Sequence, residues 1–420
     1  MNRGFFTIMA AQFFSSLADN ALLIAAIALL TTMKSPAWMT PLLKLFFVLS
    51  YVLLAAFVGA FADSLPKGRV MFITNLIKIG GCAMMFCNVH PLLAYAVVGF
   101  GAAAYSPAKY GILTELLPPE KLVAANGWIE GLTVVSIILG TVMGGALVNP
   151  QISADLLSID FPMVDTGVNT PAEAALSVIM AAYFVAAIFN LRIPDTGARY
   201  PHQERNPIRL VADFAGCFIT LWKDKLGQIS LAVTTLFWGA GATLQFIMLK
   251  WAEQSLHMPL DQAATFQGIF ALGIAIGAAA AARFVPLKKS LSVMPLGVVM
   301  GFIVMAMTLV HSAWMAYVLL VLVGGLSGYF VVPMNALLQH RGHVLLSAGH
   351  SIAVQNFNEN LSVLTMLMLY AMMVKLNLNI NVVIVLFGLF VAGTMSLAMR
   401  RHAANQREHD SLALIGEHKH

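Results

Sequence analysis

Charge is scarce in this chain. Of its 420 residues only 10 % are Asp, Glu, Lys or Arg, where a soluble domain carries roughly 25 %. So few ions cannot cover a water-facing surface, which excludes an ordinary soluble globular protein. Cysteine is sparse too. Cys82, Cys87 and Cys217 are too few and too scattered for a disulfide framework or a zinc site, and they read as small buried hydrophobes. The histidines are read as lying in loops and in the terminal "GEHKH", with no Ser/His/Asp or metal-ligand constellation, so no catalytic nucleophile is nominated. The pI near 9.1 would suit a nucleic-acid partner, but the basic residues fall between apolar runs and report topology instead.

What is present is hydrophobic: 59 % of the residues, including 24 Met and 26 Phe. A membrane span takes about 20 apolar residues. Twelve runs qualify: 5–32, 41–63, 69–88, 91–114, 124–148, 172–192, 226–252, 263–285, 291–310, 313–338, 346–374 and 379–400. The first is read as a span, not a cleaved signal, because it is long and eleven more follow. One long polar stretch, 193–225, divides the spans six and six. The expected organisation is a half at 1–192, a linker at 193–225, a second half at 226–401 and a tail at 402–420.

With both termini inside, eighteen Lys and Arg are cytoplasmic and three (Lys34, Lys44, Lys375) are external; Lys78, Lys109 and Lys250 lie within or at the edge of spans. This bias predicts cytoplasmic termini. The external loop 149–171 carries Asp155, Asp160 and Asp165 and no Lys or Arg. In the linker, Leu210, Phe214, Phe218 and Leu221 recur at helical spacing. They predict an amphipathic helix, either along the membrane interface or solvated. The sequence therefore predicts an all-α polytopic membrane protein, twelve transmembrane helices in two halves. That layout resembles the major facilitator transporters, whose substrate site lies between the halves near mid-membrane.

"GAFADSLPKGR", Gly59 to Arg69, resembles the loop motif of that fold between spans 2 and 3. Asp63 can accept hydrogen bonds from a helix N-terminus and a basic side chain. With Lys67 and Arg69 it is assigned to gating, the alternative being an ordinary basic turn. Gly68 stands five residues after the Asp, where the family has its Gly about three after. The corresponding "ARFVPLKKS" of the second half has no acidic residue. Span 5, "GLTVVSIILGTVMGG", resembles a glycine motif of antiporters, with Thr141 for its proline; helix packing explains it better. "GFGAAA", Gly99 to Ala104, fits a dinucleotide pattern, but no strand precedes it and it reads as a packing face.

Four charges lie inside spans: Asp19, Lys109, Glu130 and Glu359. Each costs about 2.5–3.5 kcal/mol at a helix centre on insertion scales, so such residues face a cavity or pair with one another. The structural alternative is a fixed Asp19–Lys109 or Glu130–Lys109 ion pair. Gln12, Ser15, Ser16, Asp19 and Asn20 form a polar stripe on span 1, and Asn356, Glu359 and Asn360 form another on span 11. Span 10 adds Pro333 and Asn335 in "VVPMNALLQHR". Two stripes from opposite halves predict a central cavity.

Taken together, "ADNALL", "ADSLPKGRVM", "GAAAYSPAKYGIL", "VPMNALLQ" and "AVQNFNEN" closely resemble the bacterial lysophospholipid transporter family, along almost the whole chain. The resemblance implies a flippase of the Gram-negative inner membrane. It would move lysophosphatidylethanolamine and its relatives from the outer to the inner leaflet. A cytoplasmic acyltransferase/acyl-carrier-protein synthetase would then reacylate them. Substrate contacts are assigned to Gln12, Asp19, Asn20, Tyr105, Lys109, Asn356, Glu359 and Asn360, and gating to Glu130 as well as the loop. Asp19 and Glu359 would meet the headgroup amine or a coupling cation, Na+ or H+, and Lys109 the phosphate. Gln245 and His340 stand where the family often has an arginine and a carboxylate, so a neutral hydrogen bond is expected between spans 7 and 10. A drug or organic-cation exporter of the same fold, with Asp19 binding cations or protons, is the second reading. A non-transporting membrane scaffold is the third.

Overall fold

The computed structural model describes residues 3–36, 39–157, 170–201, 203–258, 260–408 and 410–415. Asp160 and Asp165 of the external loop, and the residues 416–420 that carry "GEHKH", lie outside them. Every regular element among the described residues is helical. The helices are α1 (Arg3–Thr32), α2 (Met39–Leu53), α3 (Ala55–Ser64), α4 (Lys67–Phe86), α5 (Pro91–Leu116), α6 (Leu122–Leu147), α7 (Pro150–Leu157), α8 (Pro171–Leu191), α9 (Pro207–Lys223), α10 (Lys225–Ser255), α11 (Leu260–Phe284), α12 (Met294–Met305), α13 (Ala313–Leu345), α14 (Ala348–Lys375) and α15 (Ile380–Glu408). Among them, eleven are long and apolar enough to cross a membrane. The pair α2–α3 makes a twelfth if it is one span, bent by 67° at its break.

The second expected run, 41–63, is thus two helices that meet at Leu54. Ser50, one turn earlier, returns its hydroxyl to the Phe46 carbonyl at 3.0 Å. A serine bonded back in this way often accompanies a helix bend, and hydropathy alone carries no trace of the break.

Two compact units emerge, Met1–Ile112 with Val135–Val211, and Leu113–Val134 with Ala212–His420. In the first, α8 packs against α1 and α4. Its core joins Ala18, Leu22 and Ala25 of α1 to Ile179 and Tyr183 of α8, with Cys82 of α4 and Val98 of α5. The glycines of span 5 explain themselves here. A Cβ on Gly140 would lie 2.5 Å from the Leu17 carbonyl oxygen, and one on Gly144 would lie 2.8 Å from Ile24 Cβ. These two residues let α6 touch α1 backbone to backbone, as small residues do in membrane helices. Gly131 and Gly145 meet nothing and have no such role.

The second unit takes in the hairpin 113–134 together with α10–α15. Trp251 and Met248 of α10, Phe266 of α11, Leu320 of α13 and Ile384 of α15 form its core. The linker helix α9 is bound to this unit. Phe214 and Phe218 meet the Phe357 ring edge-on, with centroids 5.5 and 6.2 Å away, and Leu221 is fully buried against Leu231, Leu338 and Val354. The expected amphipathic face exists, but protein covers it. Ile208, Val211 and Ile219 are left exposed on α9. Asp224 closes the joint. It caps α10 through the amides of Leu226 and Gly227 and accepts a two-pronged bond from Arg341, at 3.0 and 2.7 Å. A guanidinium fork of this kind fixes orientation as well as charge.

Candidate functional site

Asp19 sits halfway along α1, about 24 Å from its start at 1.5 Å per residue. Its cation is Lys78 of α4, not Lys109. Lys78 Nζ donates to Asp19 Oδ2 at 2.8 Å and to Ser15 Oγ at 3.0 Å. Tyr183 of α8 donates to the other Asp19 oxygen at 2.7 Å. Ser15 in turn donates to Asn75 Oδ1 at 2.8 Å. The ammonium also lies 4.9 Å from the Tyr105 ring centroid and 5.7 Å from that of Tyr183, within cation–π range. The Lys78 side chain is 2 % exposed and that of Asp19 is 20 %. The lysine is sealed in, while the aspartate side chain is partly open.

Local sequence explains the arrangement. Ser15 and Asp19 are four apart on α1 and Asn75 and Lys78 three apart on α4, so each pair shares one face. The glycine of "GFGAAA" makes room: a Cβ on Gly101 would lie 2.8 Å from Lys78 Cγ and 2.9 Å from the Thr74 carbonyl oxygen. The stretch is a packing face, and what it packs is the lysine stem.

The remaining assignments of the first unit are scattered. Gln12 is buried on α1. Asn20 bonds its own helix, at Ser16 O and 2.8 Å. Lys109 is half-buried with its ammonium 4.1 Å from the Tyr110 centroid. In the loop motif Lys67 Nζ donates to Asp63 Oδ1 at 2.6 Å and to the Ala62 carbonyl at 2.7 Å, and lies 4.8 Å from the Tyr200 ring centroid. Both partners of the pair are buried, whereas Arg69 is exposed.

In the second unit Glu130 and Asn356 are buried, and Asn360 donates back to Asn356 O at 2.8 Å. Glu359 is buried as well. Gln355, one turn before it, donates to Glu359 Oε1 at 2.8 Å and to Asn335 Oδ1 at 3.2 Å. The expected Gln245–His340 bond is absent for a geometric reason. Gln245 follows the start of α10 by about 30 Å, while His340 lies in the last two turns of α13, beside that same end of α10 through Arg341 and Asp224. His340 instead lines a cavity of about 400 Å³ with His343, Glu115 and Pro118. Helix α13 runs to Leu345, beyond the expected 338, which corrects the assignment of these histidines to loops. Beside His340, Asn126 and Gln339 exchange two amide hydrogen bonds of 2.8 and 2.9 Å, both residues fully buried.

Lys78, Tyr183, Asn75, Gln355 and the Asn126–Gln339 pair were not legible as site residues. A signal existed for Lys78: a lysine eleven residues into an otherwise apolar helix, one turn after an asparagine. No signal marks Tyr183, which reaches Asp19 only because α8 folds back on α1.

Eleven helices long and apolar enough to span lipid, among the described residues, define a polytopic membrane protein. The Major Facilitator Superfamily model matches residues 5–362, and the chain belongs to that superfamily. Within it the chain belongs to the LplT family. It is 42 % identical over 368 residues to the "Lysophospholipid transporter LplT" of Yersinia enterocolitica, covering 87 % of this chain and 86 % of the relative. The proteins of that name from Yersinia pestis and Yersinia pseudotuberculosis match to the same extent. Solved structures agree on the fold. An outward-facing bacterial homologue of the iron transporter ferroportin superposes with a TM-score of 0.70 at 14 % identity, covering 97 % of this chain and 100 % of that one. The transporter FucP in its outward conformation gives 0.71 at 14 % identity, covering 94 % and 98 %.

Proposed function

We propose that this chain is a lysophospholipid transporter that carries lysophosphatidylethanolamine and its relatives from the outer to the inner leaflet of a bacterial inner membrane. Both termini face the cytoplasm, and transport proceeds by alternating access. The lipids delivered feed an acyltransferase/acyl-carrier-protein synthetase on the cytoplasmic side. The kinship with the LplT family supports the substrate class, and one observation carries the chemistry: the buried Asp19–Lys78 pair, with the Asp19 side chain partly open.

A zwitterionic headgroup has a phosphate and an amine. In a state of the cycle that opens the site around Lys78, it can exchange partners with the pair, amine to Asp19 and phosphate to Lys78, so that neither charge is left unpaired. Stranding one partner of a buried pair costs about 3–5 kcal/mol. A bare organic cation must take Asp19 and leave Lys78 alone, which weighs against the exporter reading. The single acyl chain needs only apolar helix surface, which Phe and Met supply in quantity.

Headgroup-resolved uptake of labelled lysolipids into proteoliposomes tests the reading. Wild type is expected to move lysophosphatidylethanolamine, and Asp19→Asn to lose most of that flux while still folding. Transport of organic cations without any lysolipid flux would overturn it, and no transport with retention of a partner in pull-down would favour a scaffold.

A further inference from the structure

We infer that the linker helix α9 is a membrane-binding element, whose uncovered face rests on anionic phospholipid at the headgroup boundary, on the side of the membrane where α10 begins. The helix is apolar around more than half of its circumference. Phe214, Cys217, Phe218 and Leu221 make the face that the second unit covers. Ile208, Ala212, Ala215 and Ile219 stand four, three and four residues apart, so they line a second face, with Val211 at its edge. Nothing among the described residues covers that face. Ile208 is 80 % exposed, Val211 51 % and Ile219 49 %, and Ala212 and Ala215 are exposed as well. Charge is placed to match. At about 100° per residue, Arg209 and Lys223 stand about 100° and 60° round from Ile208, whereas Asp213, the acid of this helix, stands about 140° round. Both cations thus border the uncovered face and the acid lies farther off. Arg205, just before the helix, is exposed too. Arg209 meets Glu204 at 3.3 Å, but its side chain remains 73 % exposed, and so open a pair holds it weakly.

The depth of α9 says what meets this face. Helices α10, α13 and α14 have 31, 33 and 28 residues. At 1.5 Å per residue they are about 46, 50 and 42 Å long, against a hydrocarbon core of about 30 Å. Centred on that core, they stand out of it by about 6–10 Å at each end. The contacts of α9 fall at that level and a little deeper. Leu231 lies about 9 Å from the start of α10, Leu338 about 10 Å from the end of α13, and Val354 and Phe357 about 9 and 14 Å from the start of α14. The linker helix therefore lies along the flank of the spans, where headgroups give way to acyl chains, and not below their tips. A helix at that level with an apolar face and Lys and Arg at its margin is what an anionic bilayer surface holds. Protein grips α9 on one side and lipid on the other.

The test places an environment-sensitive fluorophore on one cysteine of the full-length protein, Ile208→Cys or Ile219→Cys, in vesicles of phosphatidylglycerol or of phosphatidylcholine. Cys87 and Cys217 are replaced by alanine, and the buried Cys82 stays. Thr220→Cys reports the polar face, and Val211→Cys serves if either isoleucine variant fails to fold. At Ile208 and Ile219 the expected result is blue-shifted emission, strong quenching by lipids spin-labelled near the headgroup and little quenching by iodide, with the reverse at Thr220. Lipid quenching should be stronger in phosphatidylglycerol than in phosphatidylcholine. That difference should shrink at high salt and be lost when Arg209→Gln is combined with Lys223→Gln. Water-like emission and iodide quenching at Ile208 and Ile219 equal to those at Thr220 overturn the membrane contact. Shielding from iodide without quenching by spin-labelled lipid overturns it too, and assigns the face to a second copy of this chain or to another protein. Equal lipid quenching in the two kinds of vesicle overturns the preference for anionic lipid.

Discussion

The two deeply placed carboxylates, Asp19 and Glu359, solve the same problem in opposite ways. Asp19 has polar company: it accepts from an ammonium and a phenol, and the ammonium donates to a serine hydroxyl as well. Glu359 has amides and a hydroxyl around it and, among the described residues, no salt-bridge partner. In a low-dielectric interior the first arrangement fixes a dipole of two full charges, which a zwitterion can replace. The second ties the carboxyl group through Gln355 to Asn335, with neutral partners. Each unit thus holds one deeply placed carboxylate, and the two are surrounded by different residue sets.

Breaking the Asp19 arrangement is expected to have the largest effect. Lys78→Met removes the cation paired with Asp19 and should cost about 3–5 kcal/mol of stability, seen as a large fall in melting temperature in detergent and loss of lysolipid flux. Asp19→Asn with Lys78→Met should recover much of the stability and none of the transport. If the double variant melts as low as Lys78→Met, the pair is not what holds these helices.

The loop motif sharpens the comparison with a second buried ion pair in the same unit. Asp63→Asn takes the carboxylate from Lys67, which keeps the Ala62 carbonyl and the Tyr200 face. Slower turnover is expected, with the population shifted toward inward-open forms and modest loss of substrate affinity. Cysteine accessibility at the two mouths reads the shift; unchanged labelling with unchanged turnover would leave Asp63 a helix-ending residue.

A neutral counterpart lies in the second unit. Asn126→Leu leaves the Gln339 amide buried without its partner, at a cost of about 1–3 kcal/mol. Asn126→Leu with Gln339→Met should cost less than the single change in thermal unfolding, since neither polar group is then stranded. The smallest effect is expected at the linker. Trp222→Phe deletes a 3.3 Å bond to Asn358 Oδ1 and keeps the ring packing, a loss of about 0.5–1 kcal/mol. A larger loss would mean that the linker helix, not only its apolar face, is held by that bond.

Hydropathy and charge bias by themselves determined the membrane class, the all-helical architecture and the number of apolar runs, because length and composition decide whether a helix can span lipid, and each run carries its own signal. They also singled out Asp19 and Glu359, since a charge deep in an apolar run is visible without any partner. Composition could not say what each charge meets. Lys78 and Tyr183 reach Asp19 from α4 and α8, 59 and 164 residues away in sequence, and Gly101 makes the space that admits the lysine. The bend at Leu54, the protein-covered face of α9 and the place of Leu113–Val134 in the second unit were decided in the same way. An amphipathic face states that it must be covered and a buried ion that it must be paired; which surface covers the one and which side chain pairs the other depends on helices brought together across long stretches of chain, and only the tertiary structure holds that information.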